Sequence, residues 1–193
     1  MLARLVSLFP LDTAAIRPLV AALALITMTI GNLAALWQDD LRRMLGWSSV
    51  SQSGYALMAI SVVGLSPAAM PALIIFLLGY STANLATFAA ITHLRGRTDR
   101  ADFSGLVSSR PLEAIAIIIG LLSLVGIPPL IGFVGKLELF LATIEGGYTW
   151  LAVAAVANTV ASLFYYLRFI APMVFAKSSS VPATLGAWSG AAM

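Results

Sequence analysis

The sequence predicts an all-α protein, a polytopic membrane helix bundle with five transmembrane helices, the fourth of which is discontinuous at Pro128-Pro129. Hydrophobic residues make up 60% of the 193 residues and charged residues only 10%, whereas a soluble domain carries about 25% charged residues. Mean hydropathy is strongly positive, and several stretches of helix length contain no charge. One segment, 111–145, would exceed the thickness of a bilayer as a straight helix, which predicts the discontinuity.

Each span is predicted from about 20 apolar residues, the length that a hydrocarbon core about 30 Å thick requires. Pro18 suits the first turn of the first helix, and the turn 64–67 divides a long uncharged stretch into a hairpin. Together the spans form one membrane domain, 1–176, and the Ser-, Ala- and Gly-rich tail 177–193 is predicted to begin a last helix. The predicted spans are 18–37, 44–64, 68–92, 111–145 and 148–171.

Basic residues in the loops predict the orientation in the membrane. Eight of them lie on the side where the first, third and fifth spans end, against two on the other side. By the positive-inside rule the first side is cytoplasmic, so the N-terminus lies outside and the C-terminus inside a bacterial inner membrane. The eight are Arg42, Arg43, Arg95, Arg97, Arg100, Arg110, Arg168 and Lys177, and the two are Arg4 and Arg17.

Composition also limits the chemistry that the chain can carry. Without cysteine there is no disulfide framework, no thiolate metal site and no thiol nucleophile, and the single histidine cannot form a metal cluster alone. The net charge of +3 is interpreted as a topology signal because the basic residues lie mostly in loops. We therefore expect no metal site and no nucleic-acid partner.

Polar side chains form a stripe along each of three spans, at positions i, i+4 and i+7, which share one helix face. Such stripes often only hydrogen-bond neighbouring helices, but three of them beside a buried cation favour a hydrated path. We also expect Asn84 and Asn158 to need partners outside the chain, because hydrocarbon supplies none. The stripes are Ser48, Gln52 and Tyr55; Tyr80, Asn84 and Thr87; and Asn158, Ser162 and Tyr165.

The segment 111–145 carries the most informative motif. As one helix it would be about 50 Å long, more than the roughly 40 to 45 Å of a whole bilayer. Pro128 and Pro129, flanked by Gly126 and Gly132, remove backbone donors and predict an interruption. Broken helices of this kind mark ion and substrate sites in transporters; a proline kink without function is the alternative.

Lys136 follows this break and is the predicted centre of function. It lies nine residues inward from Glu145, about 14 Å along a helix and close to the middle of the hydrocarbon core. A lysine at that depth cannot easily extend to either interface, and burial disfavours its charged form. The amine is therefore predicted to alternate between protonated and neutral states, as a proton relay requires.

Four stretches of the sequence resemble a known family. The runs GNLAALWQDDLRRMLGWSS (31–49) and SQSGY (51–55) are similar to the antiporter-like membrane subunits of respiratory complex I, the NADH-quinone oxidoreductase. The runs GIPPLIGFVGK (126–136) and YYLR (165–168) narrow the resemblance to the N branch of these subunits. The motifs stand in the family's order and extend over 18–175.

The resemblance implies a larger fold of two inverted five-helix repeats, each with a broken helix whose buried lysine moves protons. The present spans are similar to the second repeat alone, with 1–10 similar to the end of the preceding helix. The implied partners are the first repeat, the other membrane subunits of the complex and the lipid bilayer. NADH, FMN, iron-sulfur clusters and quinone are implied for partner subunits, and no cofactor or redox chemistry for this chain.

The resemblance also implies a proton path and shows departures from the family. Relatives often have lysine in place of Arg42, which is effectively always protonated, and an aromatic or aliphatic residue in place of Glu138. Antiporter subunits usually carry histidines on the helix of Leu77 and Ser81, so these two residues favour the N branch. The implied path comprises Lys136, Arg42, Ser48, Gln52, Tyr55, Tyr80, Asn84, Asn158, Ser162 and Tyr165.

Two alternatives to a proton-translocating half-module of the oxidoreductase stay open. One is a subunit of a related cation/proton antiporter or membrane hydrogenase. The other is a scaffold that only packs against partners. Lys136 discriminates against the scaffold, because a scaffold has no reason to keep an unpaired amine in hydrocarbon.

Overall fold

A computed structural model describes residues 16–94 and 98–176, which form an all-helical bundle. The predictions for the segments 1–10 and 177–193 concern residues outside the described ones, as do those for Arg95 and Arg97. The helices are α1 (Ile16–Leu36), α2 (Leu41–Ser61), α3 (Ala69–His93), α4 (Leu106–Ser109), α5 (Pro111–Val125), α6 (Ile131–Glu145) and α7 (Thr149–Phe175), with a 3-10 helix at Arg100–Phe103.

Three of the described helices have the length and composition of membrane spans, and the bundle has an apolar surface. These three, α1, α3 and α7, are long and apolar enough to cross a membrane, and α5 is apolar but has only 15 residues. Large hydrophobic side chains cover the outside of the bundle; Leu85, for example, is 70% exposed and Phe164 is 66% exposed. Such a surface suits lipid rather than water. The predicted all-helical membrane bundle is therefore confirmed.

α1 and α2 form the most extensive helix pair of the described bundle. Their backbones approach closely at two glycines. A Cβ atom on Gly31 would lie 2.4 Å from the backbone nitrogen of Ser51, and one on Gly54 would lie 2.6 Å from that of Met28. Helices in lipid have no hydrophobic driving force to associate, so they depend on van der Waals packing, and small residues at such crossings allow the close approach that this packing needs.

α3 packs against both α5 and α6, so that the two short helices share one neighbour. The core has two main parts. One lies around Tyr166 and Phe169 of α7 and includes Phe103 of the 3-10 helix. The other lies around Tyr55 and Phe76 and includes Leu139 of α6. The gap between α5 and α6 falls between these two parts.

Asp40 explains why α2 begins at Leu41, three residues before the predicted span. Its side chain caps the helix by accepting a 2.9 Å hydrogen bond from the backbone N–H of Arg43 and a 2.5 Å bond from the Thr98 hydroxyl. Burial raises the pKa of Asp40, but these bonds and the charge of Arg43 more than offset it, so the pKa lies below its ordinary value of 3.8. The charged run at 39–43, interpreted from the sequence as loop, therefore contains a helix start.

Candidate functional site around Lys136

The gap between α5 and α6 leaves two backbone carbonyls without their helical partners. α5 ends at Val125, Gly126 takes a left-handed conformation with φ +91°, and α6 begins at Ile131. In a continuous helix, residues 128 and 129 would donate N–H bonds to the carbonyls of Leu124 and Val125. Both residues are proline and have no N–H to donate. The double proline thus frees two adjacent carbonyls inside the bundle.

Lys136 binds these two carbonyls. Its Nζ donates hydrogen bonds of 2.9 Å to the oxygen of Leu124 and 3.0 Å to that of Val125. The side chain is only 4% exposed, and Nζ lies 4.8 Å from the ring centroid of Tyr55, at the distance of a cation–π contact. Among the described residues no carboxylate forms a salt bridge with it. Carbonyl dipoles and an aromatic ring therefore take the place of a counter-ion.

Two glycines let α5 and α6 approach closely enough for this contact. A Cβ atom on Gly132 would lie 1.8 Å from the backbone oxygen of Ser123, and one on Gly126 would lie 3.1 Å from Cδ of Lys136. The N–H of Gly132, at the start of α6, donates a 3.3 Å bond to the Ser123 hydroxyl. Larger residues at these positions would separate the amine from its carbonyls.

A small cavity lies beside the amine. Its volume of about 10 Å³ is near the lower limit for a single water molecule. Gln52 donates a 3.3 Å bond to the carbonyl of Leu124, while its own buried Oε1 has no hydrogen-bond partner among the described residues. A buried acceptor of this kind needs a hydrogen-bond donor, and the cavity has room for a water molecule that would provide it. The cavity is lined by Gln52, Phe76, Tyr80, Ser123, Leu124, Gly132 and Lys136.

Four of the predicted path residues of α2 and α3, namely Gln52, Tyr55, Tyr80 and Asn84, lie at or next to this site. Gln52 and Tyr55 contact Lys136 or its carbonyl partner, and Tyr80 lines the cavity. The Tyr80 hydroxyl donates a 2.8 Å bond to Ser49 and accepts a 3.1 Å bond from the Asn84 amide. The Asn84 oxygen is buried without a partner among the described residues.

Two of the path residues of α7, Asn158 and Tyr165, join a second network, between α7 and α1. The Tyr165 hydroxyl donates a 3.0 Å bond to Oδ1 of Asn32, and the Asn32 amide donates a 3.0 Å bond to Oδ1 of Asn158. The Asn158 amide in turn donates to Thr29 at 3.2 Å. The expectation that Asn158 needs a partner outside the chain is therefore wrong. α1 supplies the partners, Asn32 and Thr29. Sequence analysis did not single them out, because the rest of α1 is mostly apolar.

Short links connect the remaining predicted residues to α7. The Tyr55 hydroxyl lies 2.8 Å from that of Thr159, and Ser162 donates a 2.6 Å bond to the Thr159 carbonyl. Ser48 is buried and hydrogen-bonded to the hydroxyl of Tyr166. Thr159 and Tyr166 were not selected from the sequence. Each directly follows a predicted path residue, Asn158 or Tyr165. Which side chains of α7 point toward α2 depends on the rotation of α7 about its axis, which the sequence does not give.

Arg42 is not brought to Lys136. It is exposed in the first turn of α2, ten residues before Gln52, which corresponds to about 15 Å along the helix. A partly buried group of ionisable side chains at the same end of the bundle was not predicted from the sequence. His93 Nδ1 lies 2.9 Å from Oε1 of Glu113, and Arg110 lies 3.3 Å from the same oxygen. The spacing of Arg110, the N-cap residue of α5, and Glu113 in the first turn was the available signal.

Comparison with known proteins identifies the family of this chain. The profile of the family described as NADH:quinone oxidoreductase/Mrp antiporter, TM, matches residues 1–162. The chain belongs to this family. Within it, the chain is 50% identical to the NADH-quinone oxidoreductase subunit N of Mycobacterium sp. (strain JLS) over 169 residues. That match covers 88% of the chain but only 36% of the relative, so the chain spans about a third of the length of that protein.

Two solved structures share the fold. One is a chain of respiratory complex I from Thermus thermophilus with bound aureothin, at 30% identity and a TM-score of 0.76, covering 91% of this chain and 40% of that one. The other is a chain of the Mrp complex from Dietzia sp. DQ12-45-1b, at 29% identity and a TM-score of 0.81, covering 88% and 32%. The helix arrangement described above is thus common to both branches of the family.

Proposed function

We propose that this chain is a proton-translocating membrane subunit of an NADH-quinone oxidoreductase, in which Lys136 takes up and releases the proton. One observation carries the proposal: the Lys136 amine is buried and bound to the two carbonyls that the double proline frees. The likeness to subunit N of the oxidoreductase, at 50% identity, supports this branch over the cation/proton antiporters.

The membrane placement belongs to the same proposal. α5 and α6 have 15 residues each, about 22 Å, so neither alone spans a core about 30 Å thick. We place them as two halves of one discontinuous span, which with α1, α2, α3 and α7 makes five crossings. The ends of α1, α3 and α7 lie at the cytoplasmic face of a bacterial inner membrane, with the N-terminus outside, because the basic residues gather there.

The contacts of Lys136 suit both of its protonation states. A protonated amine donates to the carbonyls of Leu124 and Val125 and is attracted by the face of the Tyr55 ring. A neutral amine still has two N–H groups for the same two carbonyls and gains a free lone pair. Lys136 can therefore gain or lose a proton without losing its hydrogen bond to either carbonyl. In this proposal the amine exchanges its proton with a water molecule in the adjoining cavity, which Gln52 and Tyr80 line.

The rest of the predicted path extends from this centre in two directions. Tyr80, Ser49 and Asn84 form a chain of hydroxyl and amide groups along α2 and α3. The Tyr55 hydroxyl is bonded to that of Thr159 on α7, and the backbone carbonyl of Thr159 accepts a bond from Ser162. In this proposal the chain itself performs no redox chemistry. NADH, FMN, iron-sulfur clusters and quinone bind partner subunits, and the other membrane subunits, including a first repeat, complete the path.

Substitution of Lys136 by methionine in the assembled complex tests the proposal. Methionine keeps the length and apolar stem of lysine but carries no proton. Lys177→Met, at the only other lysine of the chain, is the matched control. We expect Lys136→Met to lower proton pumping per electron sharply in proteoliposomes while assembly and Lys177→Met remain as wild type. Wild-type pumping by Lys136→Met would leave only the scaffold alternative.

A further inference from the structure

Glu138 is a carboxylate on the outward face of α6. Its side chain is half-buried, and it lies among large apolar residues that are exposed on the same helix. It is seven residues from Glu145, about 10 Å along the helix axis, and so lies well inside the span proposed above. The exposed apolar neighbours are Ile131, Val134, Leu137, Leu141 and Ile144.

No group of the described chain compensates this carboxylate. Glu138 takes part in no hydrogen bond, ion pair or other electrostatic interaction with any described residue. Lys136 is close in sequence, but two residues correspond to about 200° around a helix. Its amine points the other way, to the carbonyls of α5. The site around Lys136 therefore does not use Glu138.

Lipid is an unsuitable neighbour for this position. Acidic side chains inside membrane spans almost always face protein or a watery cavity and pair with another group. The glutamate side chain is too short to extend about 10 Å to an interface, unlike the long side chains of lysine and arginine near helix ends. A group of opposite charge at the same depth satisfies the carboxylate and leaves the surrounding aliphatic side chains for apolar packing.

We infer that the outward face of α6, comprising residues 131, 134, 137, 138, 141 and 144, binds a partner membrane helix carrying a lysine or arginine level with Glu138. The inference rests on the membrane placement of α6 in the proposed function but not on any role of Lys136. Among the described residues, a second copy of the chain offers no free cation at this depth, since the exposed Arg42 and Arg43 lie at the cytoplasmic end of α2. Lys136 is buried, Arg168 is bonded to Asp39, and Arg17 is bonded to the carbonyls of Ser61 and Val63.

Three substitutions in the complete complex test this inference. Glu138→Lys and Glu138→Leu are compared with Glu138→Gln, which keeps the shape and hydrogen-bonding capacity of the side chain. The measurement is the amount of the chain that stays with the complex when the complex is purified through another subunit. We expect at least a roughly tenfold loss for Glu138→Lys and Glu138→Leu, which leave the partner cation unpaired, and a smaller loss for Glu138→Gln. Wild-type retention of Glu138→Leu would overturn the inference, because a lipid-facing carboxylate is dispensable.

A second measurement does not depend on assembly yield. The chain has no cysteine, so Leu141→Cys, one turn from Glu138 and 52% exposed in the isolated fold, introduces a single attachment point for a spin label. In the assembled complex we expect the label to be shielded from oxygen, which concentrates in lipid. A label with full lipid exposure would overturn the inference. Neither readout involves proton pumping, so failure of the proposed function and failure of this inference are distinguishable.

Discussion

Gly132→Ala perturbs the contact between α5 and α6 with the smallest possible side chain. The added Cβ would lie 1.8 Å from the backbone oxygen of Ser123 and 2.7 Å from its carbonyl carbon. Because these are backbone atoms, no side-chain rotation relieves the overlap. The helices must separate by roughly 1.6 Å to reach ordinary contact, which begins at 3.4 Å. Overpacking of this kind costs about 1 to 3 kcal/mol. It also lengthens the 2.9 and 3.0 Å bonds of Lys136 to the two α5 carbonyls.

Gly46→Ala is the matched control. Gly46 is also a helical glycine, but a Cβ atom there meets nothing within 4 Å, and alanine favours the helix by about 0.5 to 1 kcal/mol. The assay is thermal unfolding of the purified complex, monitored through a label on this chain, together with proton pumping in proteoliposomes. We expect Gly132→Ala to lower the midpoint by about 2 to 4 °C per kcal/mol and to impair pumping, with Gly46→Ala unchanged or slightly more stable. Equal midpoints and equal pumping for the two variants would refute the close approach of α5 and α6.

Three further predictions concern the membrane placement, the α1–α7 network and the cap of α2. A reporter fused after residue 105 should be cytoplasmic and one fused at Gly146 external; protease sensitivity of the 93–110 loop from outside intact cells would reverse the orientation. A double-mutant cycle of Asn32→Leu and Asn158→Leu should give a coupling energy of about 0.6 kcal/mol and not more than about 1.7, whereas zero coupling would mean that the 3.0 Å bond is not formed. Because the pKa of Asp40 is lowered in the fold, its stabilising contribution is present above 3.8 and is lost as the pH falls further. Asp40→Asn should therefore remove part of the acid sensitivity of thermal unfolding, and an unchanged pH profile would contradict the cap.

The fold class could be predicted from the sequence because uncharged apolar stretches of about 20 residues match the thickness of a bilayer and are rare in soluble domains. Pro128 and Pro129 indicated where α5 and α6 separate, since proline acts on its own helix and needs no neighbour. The depth of Lys136 in the membrane, obtained by counting residues along one segment, stays a prediction.

Contacts between helices could not be predicted in the same way. A polar stripe gives the face of one helix, but not its rotation or height relative to the next helix. For this reason the pairing of Asn158 with Asn32, and that of His93 with Glu113, became visible only in the fold. We also expect Asn84 to need a partner outside the chain, and its oxygen has none among the described residues, while its amide donates to Tyr80.

The central claim is that the Lys136 amine releases and rebinds a proton, and Lys136→Arg tests it most directly. Arginine keeps the positive charge and can donate to the carbonyls of Leu124 and Val125, but a guanidinium hardly ever loses its proton. The measurement is the number of protons pumped per electron in proteoliposomes that contain the assembled complex, with thermal stability determined on the same sample. We expect a complex of near wild-type stability with strongly reduced pumping. Wild-type pumping by Lys136→Arg would contradict the claim and leave the amine as a structural clamp for the two carbonyls.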